Sequence, residues 1–148
     1  MEFDKDFLGK LFEQAVTNPR LRQNFDLRTS PADTSQRMLN ALLPGTKVPI
    51  HRHEDTTETV ICLVGKLEEI IYEEVNEYVH EATSCCDDVI RQKNFKEVSR
   101  QILSPAEGKF GIQIPAGAWH TINVIEPSVI FEAKDGAYNE YGNTTDKE

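Results

Sequence analysis

Two histidines separated by a single residue restrict the fold of this chain more than any other feature. Side chains at positions i and i+2 of a β-strand point to the same face, about 6.6 Å apart along the chain, whereas on a helix they point to opposite sides. His51 and His53 can therefore reach one point only from a strand. Glu58 follows after a short turn, so its carboxylate can fold back beside the two imidazoles. The sequence thus predicts a strand with two imidazoles and a neighbouring carboxylate.

Turn residues divide most of the chain into short extended segments. Pro44 and Gly45 form a strong turn pair, and Gly65 ends another apolar run. We predict strands at 36–43, 47–53, 58–64, 67–75, 97–103, 110–114, 119–125 and 128–134. The polar stretch between the fourth and fifth of these is either a short helix or a long connection. Seven or eight short strands with regular turns indicate an all-β sandwich or barrel.

The N-terminal residues have a helical pattern instead. Apolar side chains recur at intervals of three to five residues, Asp4 can act as an N-cap, and Asn18 before Pro19 should end the helix. We therefore predict a helix at 4–17. The expected organisation is an N-terminal helix and arm at 1–34, a barrel at 35–134 with a longer stretch around 76–96, and a polar tail at 135–148. A chain of 148 residues fits one such domain.

A second turn supplies one more candidate ligand. Residues 115–120 read PAGAWH, in which proline and glycine favour a tight turn and His120 begins the next strand. From there His120 can close a site from the opposite side of a barrel. Imidazoles together with one carboxylate suit Zn, Fe(II), Mn, Co or Ni. We expect one divalent metal ion on His51, His53, Glu58 and His120, while no separate catalytic acid or base can be named.

Charge and cysteine content exclude several classes of protein. A net charge of −9 without a basic run argues against nucleic acid and anionic membranes as partners. The start of the sequence lacks the features of a signal peptide, and no apolar run is long enough to span a membrane. Of the three cysteines, Cys85 and Cys86 are adjacent, which is unlike a secreted disulfide framework. We therefore expect a soluble, cytoplasmic protein.

The same positions resemble the cupin superfamily. From Gly45 to Gly65 the spacing matches the first cupin motif, and residues 115–120 match the core of the second. The resemblance implies a cupin barrel, that is, a double-stranded β-helix or jelly roll. It also implies that the family's metal ligands fall on His51, His53, Glu58 and His120.

A narrower similarity extends over most of the chain. The sequence resembles the WbuC family of cupin-fold metalloproteins in a series of short stretches, PRLR at 19–22, QRMLNAL at 36–42, PIHRH at 49–53, IPAGAWHT at 114–121, EP at 126–127, FEAK at 131–134 and DGAY at 135–138. That family implies a bound metal and an association with bacterial surface-polysaccharide gene clusters. It implies no particular reaction.

Several functions fit these observations. The first is metal-dependent binding or conversion of a small sugar or sugar acid, because a metal with three imidazoles and one carboxylate is a net positive centre. An Fe(II)-dependent oxygenase and a non-catalytic metal-binding, ligand-binding or structural protein are the alternatives. Gln113, Glu132 and Tyr138 are candidate pocket-lining residues, whereas His80 lies in a plain loop. Cupin barrels commonly pair, so we expect a homodimer.

Overall fold

The computed structural model describes residues 1–83, 86–136 and 143–145, with side chains described at 1–78 and 92–136. Its elements in chain order are α1 (Lys5–Thr17), β1 (Arg22–Asp26), β2 (Ser35–Leu42), β3 (His51–His53), β4 (Glu58–Thr83), β5 (Cys86–Leu103), a 3-10 turn (Pro105–Glu107), β6 (Gly111–Ile114), β7 (Trp119–Asp135) and β8 (Asn143–Thr145). In this described part of the chain, no helix has the length and apolar character needed to cross a membrane.

All described strand pairs are antiparallel, and β7 connects most of them. One half of β7 pairs with β2, most of its length pairs with β4, and His120 on β7 pairs with His51 on β3. The strand β1 extends the sheet beyond β2, while β5 and β6 both pair with β4. The predicted all-β architecture with an N-terminal helix is therefore confirmed.

Strands β4 and β7 bend together where the sequence predicts strand ends. The sequence separates each of them into two strands, at Gly65 and before Ser128, but each is continuous, with register shifts between Cys62 and Leu67. Gly65 has a φ angle of +93°, and a Cβ atom there would lie 2.2 Å from the Pro127 carbonyl oxygen. Only glycine fits this close crossing. The bend allows one pair of strands to continue around the barrel.

The stretch at 76–96 is a correction to the sequence prediction of a short helix or polar connection. It belongs to a long antiparallel hairpin of β4 and β5, in which Tyr72 pairs with Glu97 and Thr83 pairs with Cys86. The pairing of β4 with β7 ends at Tyr72, so past this point the hairpin ladder satisfies the backbone of β4. Exposed polar residues, such as the neighbours Asn76 and Glu77, conceal the two-residue period of a strand.

Helix α1 covers the outer face of the sheet. Its N-terminus is capped as predicted, with the Asp4 carboxylate accepting a 2.9 Å hydrogen bond from the Phe7 N–H. Leu11 and Ala15 of the helix form an apolar cluster with side chains of β2 and β7, namely Leu39, Ala41 and Val129. A second cluster fills the barrel interior, with Leu42, Val60, Cys62, Leu67, Leu103, Ile114, Val124 and Ile130. Because β2 lies between the two clusters, its successive side chains point alternately into the outer and the inner cluster.

The predicted N-terminal arm and polar tail both contribute strands. Within 20–34, β1 pairs with β2 from Arg22↔Leu42 to Asp26↔Met38. Within 135–148, β8 pairs with β3, with Thr144 opposite Arg52. The short strand β3 has open backbone groups beside its contact with β7, so a three-residue strand can extend that edge.

Candidate metal centre

Three histidines converge where β3 meets β7. His51 and His53 lie at the two ends of β3, and His51 is the pairing partner of His120 at the start of β7. The turn before His120 is attached to the same strand, because the Gly117 N–H donates to the His53 carbonyl at 2.7 Å. The ring centroids of His51 and His120 are 4.2 Å apart, and one donor atom from each histidine lies within 4.8 Å of the others. This cluster can hold a metal ion.

Glu58 lies beside the cluster at the beginning of β4. Its Oε2 atom is 2.6 Å from His53 Nε2, and the side chain is buried. Two ligand atoms at right angles on a metal, each about 2.1 Å from it, are themselves about 3 Å apart. At 2.6 Å Glu58 is hydrogen-bonded to His53, whereas the group of donor atoms within 4.8 Å of one another consists of the three histidines. The turn at 54–57 brings the carboxylate back, in the arrangement that the sequence predicts.

Backbone carbonyls orient two of the three imidazoles. Nδ1 of His51 lies 2.9 Å from the Pro49 carbonyl oxygen, and Nδ1 of His120 lies 2.9 Å from that of Ala118. A carbonyl oxygen only accepts hydrogen bonds, so each Nδ1 carries the hydrogen and each Nε2 keeps its lone pair. Metal-binding histidines are commonly held by this kind of outer hydrogen bond. Within the described part of the chain, the buried Nε2 of His120 also has no hydrogen-bond partner, so these residues fit a metal ion.

Burial controls the protonation of the cluster. Burial and, to a lesser extent, the neighbouring His120 lower the pKa of His51 to about 4. The pKa of His120 is also lowered, again mainly by burial. Burial acts in the opposite direction on Glu58, but the hydrogen bond with His53 and the nearby imidazoles outweigh it, so the pKa of that carboxyl is lowered. At neutral pH His51 and His120 are therefore neutral and Glu58 is ionised, which is the state of these groups that binds metals.

The cluster opens into a cavity of about 500 Å³. Its wall is partly built by β2, whose inward side chains follow a strict two-residue period, Gln36, Met38, Asn40 and Leu42. β7 and β4 complete the wall with Ile122, Ile130, Glu132 and Glu69. At the mouth lie residues of the N-terminal segment, among them Asn18, Arg20, Arg22 and Asn24. Each part of the wall therefore combines polar and apolar side chains.

Sequence reasoning did not identify most of these wall residues. The alternation of Gln36, Met38 and Asn40 along a strand was the available indication, since two polar side chains share one face with an apolar one. Glu69 had no comparable indication, because it follows Glu68 in an acidic stretch. Which of these two adjacent carboxylates faces inward depends on the bend near Gly65.

Two further carboxyl groups, those of Glu132 and Glu69, lie in the cavity wall near Glu58. Asn40 donates a 2.8 Å hydrogen bond to the Glu132 carboxyl. Burial and, to a lesser extent, the charge of Glu58 raise the pKa of Glu132 to about 8. The pKa of Glu69 is raised well above its usual value, first by burial and then by Glu58 and Glu132. At neutral pH Glu132 therefore retains a proton that ordinary glutamates lose.

The three candidate pocket residues have different locations. Glu132 lines the cavity. Gln113 lies elsewhere: it is exposed and donates a weak 3.4 Å hydrogen bond to Thr59, because its neighbour Ile114 takes the inward position on β6. Tyr138 lies outside the described residues.

Other residues singled out from the sequence lie away from the metal centre. The Arg52 guanidinium stacks over Trp119 at 4.7 Å from the ring centroid and pairs with Glu54 at 2.9 Å, so it faces away from the two histidines as strand alternation predicts. Cys62 belongs to the apolar core, and burial raises the pKa of its thiol to about 11. The prediction of a plain loop at His80 is wrong, because the backbone of His80 belongs to β4 and pairs with Val89. The side chains of His80, Cys85 and Cys86 lie outside the described part of the chain.

Solved structures with a similar fold include CapF from Staphylococcus aureus, described as a capsular polysaccharide assembling protein, KdgF from Halomonas sp., and an oxalate oxidase in complex with the substrate analogue glycolate. Their sequence identities to this chain are 17%, 15% and 13%, and the TM-scores are 0.55, 0.53 and 0.54. The alignments cover 89%, 84% and 87% of this chain, but 33%, 86% and 57% of the three other chains. The chain thus spans about a third of CapF. At these identities the similarity shows the fold alone, and the predicted cupin fold is confirmed.

No curated protein is significantly similar to this chain in sequence. One family model matches residues 3–83, from the beginning of the N-terminal helix to the end of β4, and it is described as a domain of unknown function, DUF6016. Since this match includes more than half of the chain and three of the four predicted ligand positions, the protein belongs to the DUF6016 family.

Proposed function

We propose that this protein holds one divalent metal ion on His51, His53, Glu58 and His120, and that it binds or converts a small sugar-derived or carboxylated ligand there. The observation that carries the proposal is the Nε2 atom of His120, which is buried and has no hydrogen-bond partner among the described residues. Burying a polar nitrogen without a partner is unfavourable. A metal ion shared with the adjacent imidazoles removes that cost.

The chain's own residues prepare this site. The carbonyls of Pro49 and Ala118 hold the Nδ1 hydrogens of His51 and His120, so both rings offer a lone pair in a fixed direction. Glu58 adds a single negative charge, which leaves a divalent centre net positive. When bound, the metal supplies Lewis-acid activation of a ligand oxygen or of water. Hydroxylated and anionic ligands are attracted to such a centre.

The ligand class rests on the resemblance to WbuC-type proteins and on the printed description of one structural neighbour. CapF, which shares the fold, is described as a capsular polysaccharide assembling protein. We extend the proposal to a bacterial, cytoplasmic homodimer connected with surface-polysaccharide metabolism. Light scattering tests the oligomeric state, since a mass of 16.8 kDa in solution contradicts the dimer.

Metal analysis tests the centre directly. The purified protein, dialysed against metal-free buffer, is expected to retain about one divalent ion per chain by elemental analysis, and His120→Ala is expected to lose it. Gln113→Ala is the matched control, because this exposed side chain lies outside the cavity. Equal metal content in all three proteins, or none in the wild type after reconstitution, contradicts the proposed centre.

The same donor set also suits Fe(II), so a second experiment separates the kinds of chemistry. The protein is reconstituted with Fe(II) under anaerobic conditions, and oxygen consumption is followed after addition of sugars and sugar acids. Ligand-triggered oxygen uptake assigns the site to oxygenase chemistry. Turnover with Zn or Mn and no response with Fe(II) favours Lewis-acid chemistry. Metal binding that only raises thermal stability favours a structural role.

A further inference from the structure

Two buried polar groups in the cavity wall take no part in the proposed metal centre. Glu69 lines the cavity, is only 2% exposed, and its Oε2 atom has no hydrogen-bond partner among the described residues. Gln36, on β2, lines the same cavity at 7% exposure, and its Oε1 atom is equally unpartnered. Buried polar side chains almost always have partners. Two exceptions in the wall of one cavity indicate a ligand that provides them.

The fold itself does not require a carboxyl group at Glu69. Its backbone belongs to the regular ladder, opposite Gln101 of β5 and Ile122 of β7. Its side chain forms no hydrogen bond or ion pair with the described residues, whereas its neighbour Glu68 binds Arg100 and Asn123 at the surface. An apolar side chain of similar volume would be more stable in this buried position. The carboxyl group is therefore explained by a contact outside the folded chain.

The chemistry of the wall narrows the kind of ligand. The cavity lining has two arginines, Arg20 and Arg22, in the N-terminal segment. Glu69 instead shares its part of the lining with two further carboxyl side chains, Glu58 and Glu132, so a ligand carboxylate placed at Glu69 would meet like charge. An ammonium group would place a second positive charge near the divalent ion of the proposed centre, and the two charges would repel each other. A hydroxyl group both donates and accepts, so it can pair with Glu69 in either protonation state and can donate to Oε1 of Gln36.

We propose that Glu69 and Gln36 bind the hydroxyl groups of a neutral polyhydroxylated ligand, such as a monosaccharide. Another oxygen atom of the same ligand lies at the metal centre. This inference rests on the proposed function and narrows its ligand class from sugars and acids in general to hydroxyl-rich sugars. Two contacts from different strands give the cavity a preference among sugars, since each hydroxyl must lie at the correct distance from the metal. The two residues determine specificity and do not bind the ion.

Binding measurements on the Zn-loaded protein test the inference. The probes are four neutral sugars, D-galactose, D-mannose, L-rhamnose and N-acetyl-D-glucosamine, and two acids without hydroxyl groups, oxalate and succinate, followed by ligand-detected NMR and calorimetry. At least one sugar is expected to bind only when metal is present. Glu69→Met should weaken that binding at least tenfold, and Gln36→Leu should weaken it several-fold. Glu68→Gln, one residue away on the opposite face, should change it less than twofold.

The controls separate failure of the inference from failure of the proposed function. Both cavity variants must retain one Zn per chain, and Gln36→Leu, on a different strand, provides the test if Glu69→Met does not fold. If neither cavity variant weakens sugar binding, the inference is wrong and the proposed metal site is unaffected. Tighter binding of oxalate or succinate than of every sugar also overturns it. A metal-loaded protein that binds none of the six probes overturns both the inference and the proposed ligand class.

Discussion

Replacing Glu132 with glutamine is expected to stabilise the metal-free protein at neutral pH. The carboxyl of Glu132 lines the cavity beside Glu58 and accepts a hydrogen bond from Asn40. Glutamine has almost the same shape, and its amide oxygen can keep the Asn40 contact. The variant therefore removes an ionisable group from the cavity without leaving a space or an unpaired donor.

The magnitude follows from the pKa of this carboxyl, which is about 8 in the folded protein against a reference value of 4.5. Between these values the folded state holds a proton that the unfolded state releases, so the free energy of unfolding falls as the pH rises. At pH 7 the unfolded group is 2.5 units above its pKa, which corresponds to about 3 kcal/mol. Near pH 4.5 this contribution is small. Glutamine does not titrate and avoids the loss.

Urea unfolding followed by the fluorescence of the single tryptophan, Trp119, measures this effect. Chelator is added so that metal binding does not contribute. Glu132→Gln should exceed the wild type by about 3 kcal/mol near pH 7 and by much less near pH 4.5. Glu13→Gln, at an exposed position of α1, should show no such pH dependence. A stability difference between wild type and Glu132→Gln that is the same at both pH values refutes this reasoning.

Three further predictions concern the site and the fold around it. Acidification below about pH 4 should weaken metal binding, because His51 has a pKa of about 4 and its protonation removes one ligand. Dialysis followed by elemental analysis checks this, and metal retention that is unchanged below pH 4 contradicts it. Leu39→Ala should cost about 2–5 kcal/mol in urea unfolding, because Leu39 is fully buried beneath α1, and a loss below about 1 kcal/mol contradicts that packing. Gly65→Ala should abolish folding or cost several kcal/mol of stability, because its Cβ atom would overlap the Pro127 carbonyl oxygen. Gly136→Ala is the control, since Gly136 also has a positive φ but lies in open space, and it should cost about 1–2 kcal/mol. Equal losses of stability in thermal unfolding contradict the close crossing at Gly65.

Local patterns in the sequence were sufficient for several elements. The spacing of apolar residues and the cap at Asp4 predicted α1 correctly, because a helix repeats over a few neighbouring residues. The i, i+2 spacing of His51 and His53 correctly predicted a strand for the same reason. Glu58, five residues further on, is close enough along the chain for a turn to bring it beside them.

Strand continuity and the hairpin were decided by pairing over longer distances. β4 and β7 continue through Gly65 and Pro127 because each supports the other through the bend, although both residues usually mark strand ends. The hairpin of β4 and β5 has polar residues on both faces, so the alternation that indicates a strand is absent. Its pairing partner, rather than its own composition, makes this stretch extended.

The proposed metal centre also depends on both sequence and tertiary structure. The sequence by itself determined the candidate ligand types, the strand that presents two of them and the turn that precedes His120. Only the tertiary structure decided that His120 lies opposite His51, and that Gln36, Glu69 and Glu132 share their cavity. Residue types and short-range spacing are properties of the chain, whereas the convergence of side chains from β2, β4 and β7 depends on register and on the bend near Gly65. Long-range strand pairing determines both the register and the bend, and neither can be predicted from a local sequence pattern.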